Sequence, residues 1–125
     1  MKRLVHYSRN RLSAFGYAFK GAYDLLRNHA PSKIHMVAFV AIVTISWWLE
    51  FALWKWAAIL ICSGMVLAAE ALNTAIEYVV DLVSPEYNVL AGKAKDMAAA
   101  GVLFTAVFSG ITAILLIADE LLGAA

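Results

Sequence analysis

Three long stretches of this 125-residue chain carry almost no charge, and this limits the folds open to it. Hydrophobic residues make up 63% of the chain and charged residues 15%, against roughly a quarter charged in soluble domains. A helix needs about 20 apolar residues to cross the hydrocarbon core of a bilayer. We therefore predict an all-α membrane protein of one domain, residues 1–125. Its three transmembrane helices are predicted at residues 34–54, 56–83 and 97–118.

The N-terminal block has a different composition. Residues 1–33 hold seven of the ten Lys and Arg residues, one acid, Asp24, and many large apolar side chains. This mixture predicts an amphipathic helix at residues 1–29 on the membrane surface. A solvated basic tail is the alternative. Pro31 disfavours a helical conformation before it and so separates this helix from the first span.

The loops between the spans indicate the orientation of the chain. The N-terminal block and the loop at residues 84–96 hold nine of the ten basic residues, and Lys55 is the tenth. By the positive-inside rule, the N-terminus and the 84–96 loop are predicted to be cytoplasmic. Within that loop, Ser84 is a favourable N-cap and Pro85 suits a first helical turn, so we expect a new helical piece to begin there. The net charge of +1 gives no basic field for nucleic acid, and none is expected as a partner.

The most informative polar residues lie inside the second apolar run. They are spaced by 3, 4 and 4 positions, which places them within an arc of about 80° on a helix: Glu70, Asn73, Glu77 and Asp81. A charge in hydrocarbon costs at least roughly 2.5 kcal/mol, so this polar stripe must face a cavity, a partner or a cation. A site for Mg²⁺ and phosphate fits the residue types. Interhelical hydrogen bonding in an oligomer and an ion pathway are the alternatives.

A second polar cluster precedes the third span. It contains Glu86, Tyr87, Lys93, Lys95 and Asp96. A lysine beside carboxylates can neutralise the charge that develops in phosphoryl transfer, and we assign that role to Lys95. Lys93 is interpreted only as a positive charge that sets the orientation of the chain in the membrane. The chain has neither a Walker A sequence nor a glycine-rich kinase loop, which excludes a soluble type of ATP site. Three spans cannot enclose an active site, so we expect several chains to pack together.

The run from Glu70 to Asp81, followed by Glu86-Tyr87 and by Ala94-Lys95-Asp96, resembles the prokaryotic diacylglycerol kinase family, which includes the undecaprenol kinases. The resemblance implies a homotrimer with three transmembrane helices per chain, an amphipathic surface helix and active sites between subunits. It also implies a bacterial inner membrane location, a lipid alcohol as substrate, ATP as co-substrate and Mg²⁺ as cofactor.

The resemblance also implies residue roles. Glu70 is the general base for the lipid hydroxyl, Asn73 supports the reacting groups, and Glu77 holds Mg²⁺. The positions that match ATP contacts are Arg11, Tyr17, Glu77, Glu86, Tyr87, Asn88, Lys95 and Asp96. The positions near the lipid are Ala14, Phe15, Gly16, Ala18, Phe19, Trp48, Glu70 and Ala99.

Two departures from the family pattern stand out. Many members have a second metal-binding glutamate where this chain has His29, which is a poorer Mg²⁺ ligand than a carboxylate. Asp24 is a possible substitute. Where the family has an arginine near the start of the surface helix, this chain has Asn10. Arg9 and Arg11 flank this position, and we assign the role to Arg11 with Arg9 as the alternative.

The resemblance implies a membrane lipid kinase that phosphorylates diacylglycerol and gives phosphatidic acid. Undecaprenol is the alternative substrate, and the stretch at residues 91–97 favours the diacylglycerol branch. A non-enzymatic oligomeric scaffold or an ion-conducting subunit is the alternative from another class.

Overall fold

The computed structural model describes residues 2–123, with side chains described from Ser13 onward. Every regular element in this part of the chain is an α-helix. The helices, in chain order, are α1 Lys2–Asn28, α2 Ala30–Trp48, α3 Leu53–Val83 and α4 Val89–Gly123.

Helices α2, α3 and α4 are each long enough and apolar enough to cross a membrane, which confirms the predicted number of spans. Helices α3 and α4 have 31 and 35 residues. At 1.5 Å per residue they are about 46 and 52 Å long, against about 30 Å for the hydrocarbon core. Each helix is therefore longer than a span requires and can extend beyond the hydrocarbon core. The predicted span at residues 97–118 lies wholly within α4.

The break between α1 and α2 is a single residue. His29 has an extended backbone (φ −105°, ψ 118°), and Pro31 lies in the first turn of α2. Proline suits a first turn because its missing N–H would have no intrahelical partner there. The prediction that the first helix ends before Pro31 is confirmed.

The predicted end of the first span, residue 54, is wrong. Helix α2 ends at Trp48, and Trp54 belongs to α3. Glu50 N–H donates to the Trp47 carbonyl and Phe51 N–H to the Ser46 carbonyl, which is the hydrogen-bond pattern of a Schellman motif. Glu50 takes the positive φ, 54°, that this motif needs. The chain reverses here because the motif satisfies the last carbonyls of α2.

The predicted helix start at Ser84 and Pro85 is also wrong, and the predicted loop at 84–96 is shorter than expected. Ser84 N–H donates to the Val80 carbonyl and closes α3. Asn88 caps α4, because its Oδ1 accepts hydrogen bonds from the backbone N–H groups of Leu90 (2.8 Å) and Ala91 (3.3 Å). The connection is therefore residues 84–88, and Lys93 and Lys95 lie inside α4.

A buried apolar cluster lies at the end of the bundle near the α2–α3 turn. It consists of Phe51, Ile59 and Leu116. Lys55, only 4% exposed, bridges the carboxylates of Asp119 and Glu120 at 2.6 Å each. These contacts join the start of α3 to the end of α4, so the two helices are antiparallel. The second half of α3 carries the polar stripe.

Candidate active site

The polar stripe lies on one uninterrupted helix, as its spacing predicts. Glu70, Asn73, Glu77 and Asp81 all belong to α3. Their exposure rises along the helix: Glu70 is 3% exposed, Asn73 and Glu77 are half-buried, and Asp81 is exposed. The stripe therefore runs from the interior of the bundle towards its end at the α3–α4 loop.

The buried carboxylate of Glu70 contacts a histidine of α2. His35 Nε2 lies 3.2 Å from Glu70 Oε1. His35 lies in the predicted first span and is not among the predicted site residues. The available signal was a single titratable side chain near the start of an otherwise apolar span, but its partner on α3 could not be read from the sequence.

Asn73 and Glu77 are linked one turn apart. Asn73 Nδ2 donates a hydrogen bond of 3.1 Å to Glu77 Oε1. The Asn73 Oδ1 atom is buried and has no hydrogen-bond partner among the described residues. Buried polar atoms are nearly always paired in folded proteins, so this oxygen is available to a ligand or to a neighbouring chain.

The α3–α4 loop closes a cleft of about 230 Å³ at the exposed end of the stripe. Lys95 projects into this cleft from α4 and donates a hydrogen bond to Asp81 Oδ1. The cleft brings together four of the residues predicted to contact ATP, and they are Glu86, Tyr87, Asn88 and Lys95. Asp96 is exposed and does not line the cleft, because the neighbouring position on a helix points about 100° away.

His29, between α1 and α2, contacts another face of α3. Its Nε2 is 3.0 Å from the Tyr78 hydroxyl and 3.8 Å from an Asp24 carboxylate oxygen. Tyr78 and Glu77 are neighbours on a helix and diverge by about 100°, so this contact takes His29 away from the Glu77 side. Within the part of the chain that the structure describes, no three His, Cys, Asp or Glu side chains gather as a metal site.

The predicted lipid-contact residues of α1 are exposed. They are Ala14, Phe15, Gly16, Ala18 and Phe19, and Tyr17 is exposed with them. Ala18 also lines an apolar cleft of about 390 Å³ between α1 and α3, together with Gly21 and Ala22 of α1 and Leu67, Ala68 and Ala71 of α3. The side chain of Arg11 lies outside the described residues.

Trp48 and Ala99 are exposed, and Trp48 is far from Glu70 within one chain. Trp48 ends α2, whereas His35 near the start of the same helix contacts Glu70. Thirteen helical residues separate Trp48 from His35 and correspond to about 20 Å. A single chain therefore does not bring Trp48 to the buried carboxylate.

Comparison with known proteins gives consistent matches. A family model described as prokaryotic diacylglycerol kinase matches residues 16–117. The undecaprenol kinase of Bacillus subtilis is 32% identical over 117 residues, which cover 90% of this chain and 95% of the relative. The diacylglycerol kinase of Escherichia coli K12 is 36% identical over 101 residues, covering 81% of this chain and 83% of the relative. A Synechocystis diacylglycerol kinase is 37% identical over 99 residues, covering 78% and 57%.

Proposed function

Because the chain belongs to the prokaryotic diacylglycerol kinase family and is a multi-pass membrane lipid kinase, we propose that it transfers the γ-phosphate of ATP to the primary hydroxyl of diacylglycerol. The product is phosphatidic acid. The observation that carries this proposal is the polar stripe on α3, which joins a buried carboxylate, Glu70, to a cleft with a lysine, Lys95. The carboxylate can take the proton of the acceptor alcohol, and the lysine can neutralise charge on the phosphate donor.

Glu70 is the general base. Its carboxylate takes the proton from the lipid hydroxyl, and the lipid oxygen then forms a bond to the γ-phosphorus of ATP. The bond between that phosphorus and the β–γ bridging oxygen breaks, and ADP leaves. Proton transfer by a positioned carboxylate typically contributes a factor of about 10² to 10⁴. Burial suits this role because it keeps water away from the reacting oxygen.

The residues for Mg²⁺ are Glu77 and Asn73. Mg²⁺ is usually held by one or two carboxylates together with substrate phosphates, so a single glutamate beside a free amide oxygen fits its needs. The half-buried Glu77 carboxylate and the unpaired Asn73 Oδ1 supply this set. When bound, the ion neutralises charge on the β- and γ-phosphates.

ATP occupies the cleft at the α3–α4 loop. Lys95 is positioned to contact a phosphate, while Glu86, Tyr87 and Asn88 line the same cleft. Arg11 and Tyr17 of α1 and Asp96 of α4 complete the nucleotide site in the assembled enzyme. Asn88 has a second task there, because its side chain also caps α4 and fixes the start of the helix that carries Lys95.

The enzyme acts as a homotrimer with sites between subunits. Large apolar side chains are exposed along α2, α3 and α4, as expected for surfaces that face lipid or another subunit. Contact with lipid does not explain why α4 also has several small residues. Ala91, Gly92, Ala98, Ala99 and Gly101 allow close approach of membrane helices. Trp48, which is far from Glu70 in one chain, approaches the reacting lipid from a neighbouring subunit, and the exposed Ala99 lies near the lipid on α4.

The protein lies in the bacterial inner membrane with its N-terminus and the 84–88 loop in the cytoplasm. The basic residues of the N-terminal block, Lys93 and Lys95 support this orientation. Helix α1 rests on the cytoplasmic membrane surface as an amphipathic helix. ATP is available on that side, where the cleft opens.

A phosphotransfer assay in mixed micelles tests the proposal. The purified protein receives γ-labelled ATP, Mg²⁺ and either diacylglycerol or undecaprenol. We expect label in diacylglycerol at a higher kcat/KM than in undecaprenol. A higher kcat/KM for undecaprenol would change the proposed substrate to undecaprenol, the lipid in the name of the B. subtilis relative. Label in neither lipid, from oligomeric protein, would overturn the kinase assignment for this chain.

A further inference from the structure

The Glu70 carboxylate has a specific partner in the bundle interior. His35 Nε2 lies 3.2 Å from Glu70 Oε1, a separation at which a ring N–H can donate to a carboxylate oxygen. Among residues 13–123, His35 is the side chain found within ion-pair distance of Glu70. The contact crosses from α2 to α3, so it is fixed by the packing of two spans and not by the local sequence.

This pair is largely buried, and the cleft beside His35 is mainly apolar, with Ser63 and Ser109 as its uncharged polar residues. The His35 side chain is 23% exposed and the Glu70 side chain 4%. His35 also lines a cleft of about 160 Å³ between α2, α3 and α4, whose other walls include Ala38, Phe39, Val66 and Ala106. None of the other residues lining that cleft carries a charge. A buried carboxylate without a partner is strongly disfavoured, so His35 has a large effect on how Glu70 is held.

We propose that His35 is the positioning residue for the catalytic base: its Nε2–H holds Glu70 Oε1 and leaves Glu70 Oε2 free to accept the proton of the lipid hydroxyl. The assignment rests on the proposed role of Glu70. The proton carried by His35 stays on the imidazole throughout. The proton of the alcohol moves to Glu70 Oε2 as the lipid oxygen bonds to phosphorus.

The arrangement has a clear physical purpose. A glutamate side chain has three rotatable bonds, and a carboxylate held at one oxygen keeps the other oxygen in a defined direction. General base catalysis depends on this direction, since the base must reach the hydroxyl proton at hydrogen-bond distance. Loss of an outer partner that orients a metal ligand typically costs roughly ten- to hundred-fold in activity, and we expect a loss of similar size for a partner that orients a base.

The test uses the full-length oligomer in mixed micelles with saturating lipid. His35→Phe keeps a planar ring of similar size and removes the donor. His35→Gln places an amide N–H near the position of the imidazole Nε2. Thr44→Val, an exposed site on the same helix, is the matched control. Helix content and oligomer size are measured for each variant, together with kcat and the KM for MgATP.

We expect His35→Phe to lower kcat by roughly ten- to hundred-fold with the KM for MgATP unchanged, and Thr44→Val to match wild type. His35→Gln should recover most of the lost kcat. In a Glu70→Gln background, His35→Phe should have no further effect, because the group it positions is gone.

A wild-type kcat in His35→Phe would overturn the proposal, as would a loss confined to the KM for MgATP. Equal losses in His35→Gln and His35→Phe would do the same. Should His35→Phe fail to assemble, His35→Asn replaces it, since its shorter amide cannot reach Glu70; activity equal to His35→Gln would then contradict the proposal. Full turnover in Glu70→Gln alone would instead remove the proposed base itself, which separates a failure of the function from a failure of this assignment.

Discussion

Lys95 Nζ donates a hydrogen bond to Asp81 Oδ1, and this ion pair joins the last turn of α3 to the second turn of α4. The two residues lie on opposite sides of the 84–88 loop and line the same cleft. Asp81 thus holds the lysine at the exposed end of the polar stripe. In the proposed enzyme, Lys95 turns from Asp81 to a phosphate of ATP when the nucleotide enters.

Lys95→Met should be severely impaired. The variant keeps the length of the side chain and removes the charge that meets the phosphates. We expect kcat to fall by roughly 100-fold, as for loss of one preorganised electrostatic group, and the KM for MgATP to rise. Steady-state kinetics with varied ATP measures both. Asp81→Asn is the matched control: it breaks the same ion pair without removing the lysine, and we expect only a few-fold change. Equal losses in both variants would show that the ion pair, and not the lysine charge, matters.

Glu50→Gly should stabilise the α2–α3 turn. Glu50 has a φ of 54°, in the left-handed region where a Cβ costs roughly 1–2 kcal/mol. Glycine removes that cost but makes the unfolded chain more flexible, so we expect a net gain of about 0.5–1 kcal/mol. Thermal or denaturant unfolding in detergent measures it. Glu50→Ala removes the charge and retains Cβ, so it should show no such gain. A gain of equal size in Glu50→Ala would attribute the effect to charge instead.

His29→Glu should increase the apparent affinity for Mg²⁺. A carboxylate is a better Mg²⁺ ligand than an imidazole, and the family pattern has a glutamate at this position. In one chain His29 contacts Tyr78, so the effect requires a Glu77 side chain supplied by a neighbouring subunit. We expect the half-saturating Mg²⁺ concentration to fall several-fold in the kinase assay. Tyr78→Phe, which releases His29 without adding a carboxylate, is the control. A Mg²⁺ titration identical to wild type would exclude His29 from the metal site.

The general architecture could be predicted from the sequence, because hydrophobic length and helical spacing depend on local composition. The three apolar runs predict three spans, and the structure has three helices of that kind. The spacing from Glu70 to Asp81 predicts one helix face, and α3 carries all four residues without interruption. The motifs around these residues also predict the family, which the match over residues 16–117 confirms.

Helix ends were harder to predict because they depend on hydrogen bonds that composition does not specify. The apolar residues from Phe51 to Trp54 favoured a longer first span. The chain instead turns at Glu50, which has a positive φ. Glycine or asparagine usually occupies such a position, so a glutamate gives no signal of the turn. Asn88, not Ser84, caps α4, because its Oδ1 accepts hydrogen bonds from the N–H groups of Leu90 and Ala91. Ser84 lies outside that helix.

Contacts between helices could not be predicted at all. The His35–Glu70 contact joins residues 35 positions apart, and nothing in either local sequence indicates the other. The same holds for Lys55 with Asp119 and Glu120, which are brought together by the antiparallel packing of α3 and α4. Such pairs follow from tertiary packing and so appear only in the structure.

In the proposed mechanism, Glu70 acts as the base in phosphate transfer from ATP to a lipid alcohol. The most direct test compares wild type with Glu70→Gln for transfer of label from γ-labelled ATP to diacylglycerol in the same micelles. Glutamine keeps the size of the side chain and cannot take the proton, so we expect a loss of at least about 100-fold in kcat with the oligomer intact. A Glu70→Gln enzyme that labels the lipid as fast as wild type would show that Glu70 is not the base.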